Sequence, residues 1–388
     1  MSRIPADEPF LPENSYESGG PISAIEVRST SASLYAQWSE VHRRDLPAWN
    51  SFLRATDASI YQYPFWNEPY RRLWIRPRYL AWGTPYDPLA FASILTVGFG
   101  PAKIGLVFRG PAPLDQDFQL PRSMYRELLE WSRSQGFMFL RFTHSDPKVL
   151  AGLATAGEEL KAEALDLDAF PYLCDYPIVT EDYIVQQHES DDETLASFDR
   201  EARRKIRRGL EGGYEFHSDD SPDALKQIWH LYQECASRKH FRLERPLSFY
   251  LDLMREAQPY NRARLYSVSH DHKTVGSALV FRDRSIAHCL LAAFDADHRN
   301  SAALLHWRSM RDMHRLGATG YNMGPGPRTL ARFKSEFCSD PTHYPAPLTI
   351  VLKKNRFRLW RQAFVPMAKQ LQPMLRKLAF QRAAFSRT

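Results

Sequence analysis

The stretch from Ala263 to Met323, ARLYSVSHDHKTVGSALVFRDRSIAHCLLAAFDADHRNSAALLHWRSMRDMHRLGATGYNM, decides how the chain is read. Ala263–Ser269, Thr274–Phe281 and Ile286–Ala292 are short apolar runs bounded by turn residues, which predicts three successive strands. Asp271, flanked by His270 and His272, sits in the first turn. A helix from about Ser301 to Leu316 follows and stops at Gly317, where glycine suits a helix end. Thr319–Met323 then reads as a strand. Three strands, a helix and a strand make an α/β (α+β) unit built on a mixed sheet.

Upstream, the same order recurs. A short helix, Trp66–Trp74, precedes strands at Arg78–Trp82, Leu89–Val97 and Lys103–Arg109. A helix from about Arg122 to Gln135 puts Tyr125, Leu128, Leu129 and Ser132 on one face, stops at Gly136, and leads into a buried strand, Phe137–Phe142. Leu128-Leu129-Glu130-Trp131 and Leu304-Leu305-His306-Trp307 hold the same place in their helices, 176 residues apart. Shared element order points to a duplicated unit.

Between the two units, Ser190 and Glu193 form an S-x-x-E capping box. From there one helix is expected to run to Gly212-Gly213, with Leu195, Phe198, Ala202, Ile206 and Leu210 as its apolar stripe. Another follows from about Asp223 to Lys239. After Met323 come Gly324-Pro325-Gly326-Pro327, a short helix carrying Phe333-Lys334-Ser335-Glu336-Phe337, and a last strand at Leu348–Leu352. The expected organisation is a flexible leader over 1–30, a first domain over 31–170, a second, catalytic domain over 171–352, and a basic helical tail over 353–388.

Composition narrows the function classes. The 388 residues carry 51 Lys and Arg against 45 Asp and Glu, a formal +6. The last acid is Asp340. Ten basic residues follow it, so residues 1–340 are slightly acidic. That excludes a uniformly basic nucleic-acid binder and leaves a local anion-seeking element. Cys174, Cys235, Cys289 and Cys338 have no zinc spacing, and the histidines show no H-E-x-x-H, so no metal is expected. The N-terminus lacks an apolar core of a signal peptide, and the longest apolar run, Leu89 to Gly100, is too short to span a bilayer. A cytoplasmic protein, soluble or peripheral, is expected. There is no Walker loop, G-x-G-x-x-G or G-x-S-x-G.

Several stretches in order resemble the FemABX-like aminoacyltransferases and related GNAT-type acyltransferases. They are Tyr61-Gln62-Tyr63-Pro64-Phe65-Trp66, Phe108-Arg109-Gly110-Pro111, Phe139-Leu140-Arg141, Arg203-Arg204-Lys205-Ile206-Arg207-Arg208-Gly209 and Phe333-Lys334-x-x-Phe337. The resemblance spans about residues 55–350. It implies two tandem GNAT-like domains and transfer of an amino acid or acyl group to the amine of a peptide, nucleotide-linked or cell-envelope precursor. The donor would be aminoacyl-tRNA or acyl-CoA, acting as co-substrate, with no tightly bound cofactor. Two departures bear on this. The long helical arm of some members is missing. At the acetyl-CoA phosphate loop, Arg299-Asn300-Ser301-Ala302-Ala303 has no glycine, which hinders close backbone approach to a pyrophosphate and is compatible with a tRNA-borne donor.

The resemblance makes Lys334 the catalytic candidate. A fixed ammonium would stabilise the negative charge that develops on the acyl carbonyl oxygen during amine attack, with Phe333 and Phe337 partly burying it and Phe337 also expected to touch substrate. The bland alternative is a helix-surface lysine. Arg238 and Arg242, near a helix end, would face acceptor phosphates, or would only complement the helix dipole. Arg71 and Arg72 would touch the same acceptor. Asn322 would hydrogen-bond substrate or cap its turn. Glu244, Asp252, Asp295 and Tyr321 are candidate general bases without a criterion to choose among them. The basic helix Asp199–Glu211 reads more readily as a solvated face than as a nucleic-acid contact.

An alternative function is an inactive GNAT-like scaffold held at the membrane surface. The tail bears on both readings. Phe357, Trp360, Phe364, Met367, Leu371, Leu375 and Leu378 follow helical spacing, broken at Pro366 and Pro373. It would pack on the body with peripheral membrane contact, or grip tRNA phosphates.

Overall fold

Parallel neighbours in a sheet need a crossover, and each half of the chain supplies one helix for it. In the first half, Arg76–Thr84, Asp87–Val97 and Ile104–Phe108 pair antiparallel in sequence order. Helix Arg122–Ser134 then crosses over, and Phe139–Thr143 returns parallel to Ile104–Phe108. In the second half, Ala263–His270, Lys273–Arg282 and Ile286–Phe294 pair antiparallel, helix Ser301–Arg315 crosses over, and Gly320–Asn322 returns parallel to Ile286–Phe294. Gly136 and Gly317 follow the two helix ends in left-handed backbone, at φ 84° and 96°. The duplicated α/β architecture expected from the sequence is therefore present. This is a computed structural model, and it describes residues 37–364 apart from 54–55, 57, 85–86, 99, 115–117, 167–180, 241–242, 244, 299 and 327. The expected leader, the expected junction near 170, Cys174 and most of the tail lie outside the described residues.

The strand expected to close the second unit is in the first sheet. Leu348–Val351 lies between Phe139–Thr143 and Glu163–Asp166, antiparallel to both. Phe139, Leu140 and Phe142 are fully buried, and so are Thr349, Ile350 and Val351. A strand with apolar residues on both faces is stable only inside a covered sheet. The place between 139–143 and 163–166 is such a site, which is why the chain returns to it. Helix Pro147–Glu159 and the strands Glu163–Asp166 and Glu215–Ser218, together with helix Leu247–Ala257, complete the two halves beyond what the sequence led us to expect.

The single helix expected over 190–211 is two. Asp191–Ser197 is capped by Ser190, whose hydroxyl accepts from Glu193 N–H at 3.0 Å, as the capping box predicts. The chain then extends at Phe198, and Asp199 caps a second helix, Arg200–Glu211, by accepting from Ala202 N–H at 2.7 Å. Phe198 still points into the core against Trp307 and Phe337. The break turns Leu210 out of the stripe, to 48% exposure. Asp199→Ala is expected to lower stability by about 1 kcal/mol, read as a lower urea midpoint with unchanged slope.

Among the described residues, three apolar clusters form the interior. One lies between the first sheet and helices Arg122–Ser134 and Pro147–Glu159. One lies under helices Arg200–Glu211 and Ser301–Arg315. The largest is shared by both halves, where Trp66 meets Phe281 edge-on with ring centroids 5.6 Å apart. The start of the tail joins this shared core. Helix Lys354–Leu359 buries Phe357 against Phe139, and Trp360 packs on the same ring at 5.5 Å.

Candidate active site

The strands Ile286–Phe294 and Gly320–Asn322 pair only over Ile286–His288 and Gly320–Asn322, then part. His288 and Asn322 are the last pair before this fork. Asn322 is buried, and its amide is fully engaged. Nδ2 donates to Asp182 Oδ2 at 2.9 Å, and Oδ1 accepts from Gly324 N–H at 2.6 Å. The second amide hydrogen faces His288 Nδ1 at 3.4 Å. Asn322 thus caps its turn, as one of the two sequence readings had it, and links Asp182 to His288.

Lys334 reaches back from helix Arg328–Ser335 into the Gly-Pro loop. Its ammonium donates to the carbonyls of Met323 and Pro325, the second at 2.8 Å. An ammonium has three N–H groups, so one is left over. Burial lowers the Lys334 pKa below that of an ordinary lysine, while Cys289 and Asp182 act to raise it. The two carbonyls hold the group in a partly desolvated position, where a charge acts more strongly than in water.

Asp182 is the hub on the other side. Besides Asn322, it accepts from the Tyr344 hydroxyl at 3.1 Å and lies 3.9 Å from the Arg109 guanidinium. Arg109 stacks over the Tyr344 ring at 3.5 Å. Its backbone is left-handed, with φ 55°. The loop around it is fixed by Gln62, whose amide donates to Phe108 O and accepts from Ser93 N–H at 2.8 Å. A Cβ on Gly110 would come within 2.6 Å of the Gln62 amide, so the position takes glycine. The Q-x-x-x-W and R-G-P stretches are therefore parts of one support.

Residues 196–335 match the acetyltransferase (GNAT) domain family. The chain carries a GNAT-type acyltransferase domain. Among solved structures, it is similar to FemX, at a TM-score of 0.68 and 16% identity over 84% of this chain and 100% of that one. It is also similar to the C-terminal domain of a putative lysylphosphatidylglycerol synthetase from Agrobacterium fabrum, at a TM-score of 0.52 and 16% identity over 82% and 96% of the two chains. The third is L-PGS from Bacillus licheniformis, at a TM-score of 0.50 and 14% identity over 81% and 93%. At these identities the likeness is one of fold. No curated protein matches by sequence.

The GNAT domain brings some predicted residues together and not others. Lys334 and Asn322 share the Gly-Pro loop. Phe337 does not face substrate: it is 3% exposed in the second core, against Phe198 and Phe333, because the chain leaves the helix just after Ser335 and folds inward. Arg238 donates to Phe294 O at 2.9 Å and so holds the far end of the forked strand. Arg71 pairs with both oxygens of Glu68, at 2.8 and 3.2 Å. Arg72 donates to Asp252 at 3.0 Å. Arg242 and Glu244 lie outside the described residues. Of the other proposed bases, Asp252 is tied to Arg72 and Arg255. Asp295 is held low by Asp297 N–H and by Lys273. Tyr321 is fully buried, and burial pushes its hydroxyl well above the usual range. Asp182, Tyr344, His288 and Asp283 were not singled out from sequence: the partners of Asp182 and Tyr344 are distant along the chain, and His288 meets Asp283 only across a turn. Among the described residues, no group of three or more His, Cys, Asp or Glu could hold a metal ion, and no helix is long and apolar enough to cross a membrane.

His306 backs the site from inside the core, between Phe294, Phe333 and Tyr321, with Nδ1 3.3 Å from the Tyr321 hydroxyl. Burial, then the charge on Lys334, depresses its pKa to about 3. The native imidazole stays neutral while the unfolded chain takes up a proton near the ordinary 6.5. Its contribution is complete above that value and is lost as pH falls toward the folded one, at about 1.4 kcal/mol per pH unit. His144, lowered to about 4 by burial, has the same sign. The urea midpoint should therefore drop steadily from pH 6.5 to 4, and less steeply in His306→Gln. An unchanged slope in the variant would place the acid sensitivity elsewhere.

Proposed function

We propose that this chain makes amide bonds by transferring an aminoacyl or acyl group to the amine of a peptide, nucleotide-linked or cell-envelope precursor. The observation that carries this is the Lys334 ammonium, half-buried and braced by two loop carbonyls next to the strand fork of the GNAT domain. Its remaining N–H would meet the oxyanion formed when the amine attacks. Donors kept pre-organised in a poorly solvated site need no reorganisation at the moment of reaction.

The donor is aminoacyl-tRNA or acyl-CoA. Helix Ser301–Arg315 has no side-chain cap from Asn300, and Ser301 N–H is taken by His298 O, which leaves the N–H groups of Ala302 and Ala303 for a phosphate of either donor. The fold shared with FemX and with lysylphosphatidylglycerol synthetase domains supports an aminoacyl donor. An anionic acceptor fits Arg109, the arginine that lies beside Asp182 and the Tyr344 ring at the site. Exposed Lys354, Arg356 and Arg358 at the start of the tail suit peripheral contact with an anionic membrane on the cytoplasmic face, or with tRNA.

The test is a two-donor screen. Purified full-length protein is incubated with a pool of charged tRNA or with acyl-CoA, plus peptide and nucleotide-linked amines, and products are read by mass spectrometry. An added aminoacyl or acyl mass on the amine supports the reading and names the donor. No product with either donor across the amine panel would overturn it.

A further inference from the structure

We propose that His288 is the general base that takes a proton from the attacking amine, oriented for this by Asp283. The inference rests on the acyl-transfer reading above.

His288 stands at the fork, opposite Asn322. Its Nε2 lies 3.0 Å from Asp283 Oδ2. The other Asp283 oxygen accepts from Ser285 N–H at 3.1 Å and Ile286 N–H at 2.8 Å, so the carboxylate cannot swing away. The Asp283 carbonyl in turn receives the guanidinium of buried Arg262. An amide N–H of Asn322 faces Nδ1, which makes Nδ1 the acceptor and leaves the ring proton on Nε2, facing Asp283. The Nδ1 lone pair is therefore held by one long contact of 3.4 Å, which a substrate ammonium can replace.

A nucleophile's base, itself aligned by a third group, is a recurrent arrangement for group transfer. Asp283 stabilises the imidazolium once formed. The other groups around the ring are the Tyr61 ring from the first half, at 6.3 Å between centroids, and Asp182 behind Asn322. Lys334 is the cation on the same loop. Both side chains of the pair are largely enclosed, 14% exposed for His288 and 8% for Asp283.

The step balances. The substrate ammonium gives one proton to Nδ1 and becomes an amine. Its lone pair forms the C–N bond as the carbonyl π electrons move to oxygen beside Lys334. Collapse breaks the bond from carbon to the donor oxygen or sulfur. The second amine proton leaves with that group as the free alcohol or thiol. His288 returns its proton to water.

The test uses the full-length protein and the donor found above. His288→Gln is expected to lower kcat about 100-fold with donor KM unchanged. His288→Gln should change the pH profile of the rate, leaving only the amine's own deprotonation. Asp283→Asn should give a smaller loss of kcat. Nitrogen-15 NMR of the wild-type imidazole, which needs no variant to fold, should show the proton on Nε2. A proton on Nδ1, or an unaltered rate and pH profile in folded His288→Gln, overturns the assignment and leaves acyl transfer standing. Absence of transfer by the wild type overturns both.

Discussion

Lys334→Ala is expected to lower kcat about 100- to 1,000-fold, about 3–4 kcal/mol of transition-state stabilisation, with little change in KM. The size follows from where the charge sits. The ammonium is partly desolvated, fixed by Met323 O and Pro325 O, and has one N–H to offer. An oxyanion absent from the ground state gains most from such a donor. Lys334→Arg keeps the charge but presents a planar fork where a compact ammonium fitted, so it should restore only a small part of the rate. Because burial lowers the Lys334 pKa, wild-type activity should decline on the alkaline side before an ordinary lysine would lose its proton. Lys334→Ala should lack that limb. Full activity in a folded Lys334→Ala protein would remove Lys334 from the chemistry.

The second large effect concerns folding. Ending the chain after residue 340 should abolish cooperative folding of the first half, although the cut lies in what reads as the far end of the second. The missing strand, Leu348–Val351, is the neighbour of both Phe139–Thr143 and Glu163–Asp166. Its loss leaves two ladders of unpaired N–H and C=O groups and uncovers the fully buried Phe139 and Leu140. A point change makes the same test within the whole chain. Ile350→Ala should cost about 2–5 kcal/mol, and Ile350→Asp, a charge with no partner in a closed core, should prevent folding at 37 °C. Near-ultraviolet circular dichroism and a thermal melt decide it. A truncated chain that still melts cooperatively, with native aromatic signals, would show that the return strand is dispensable.

What was legible in the sequence was whatever is local. The strand–turn–strand runs, the two crossover helices with their terminal glycines, and the Ser190 cap are all set by neighbours a few residues away, and all are present. The helix break at Phe198–Asp199 was missed because the apolar stripe runs straight through it, while a second cap at Asp199 competes and wins. Asp146-Pro147, with Asp146 accepting from Lys148 N–H at 2.8 Å, was an equally plain start signal for helix Pro147–Glu159. The return of Leu348–Val351 had no local signal, because its partner strands lie about two hundred residues earlier. The same holds for the site. Lys334 came from a motif, but the Asp182 hub exists only after Asp182, Asn322, Arg109 and Tyr344 have been folded together. His288 follows Asp283 by five positions, a spacing that a strand and its preceding turn bring into contact.

The return strand also fixes when the first sheet can be finished on the ribosome. Thr349 meets Arg141 across 208 residues of chain. At translation rates of 5–20 residues per second, Phe139–Thr143 waits roughly 10–40 s for its neighbour to be made. During that interval the N-terminal half is an open-edged, sticky nascent chain, and its final closure is coupled to completion of the half that holds Lys334 and His288. A ribosome that stalls or terminates early would release a species with no native ending, marked for chaperones or proteases by its own exposed edge. Candidate site and N-terminal fold are thereby delivered together, in a single late event of synthesis.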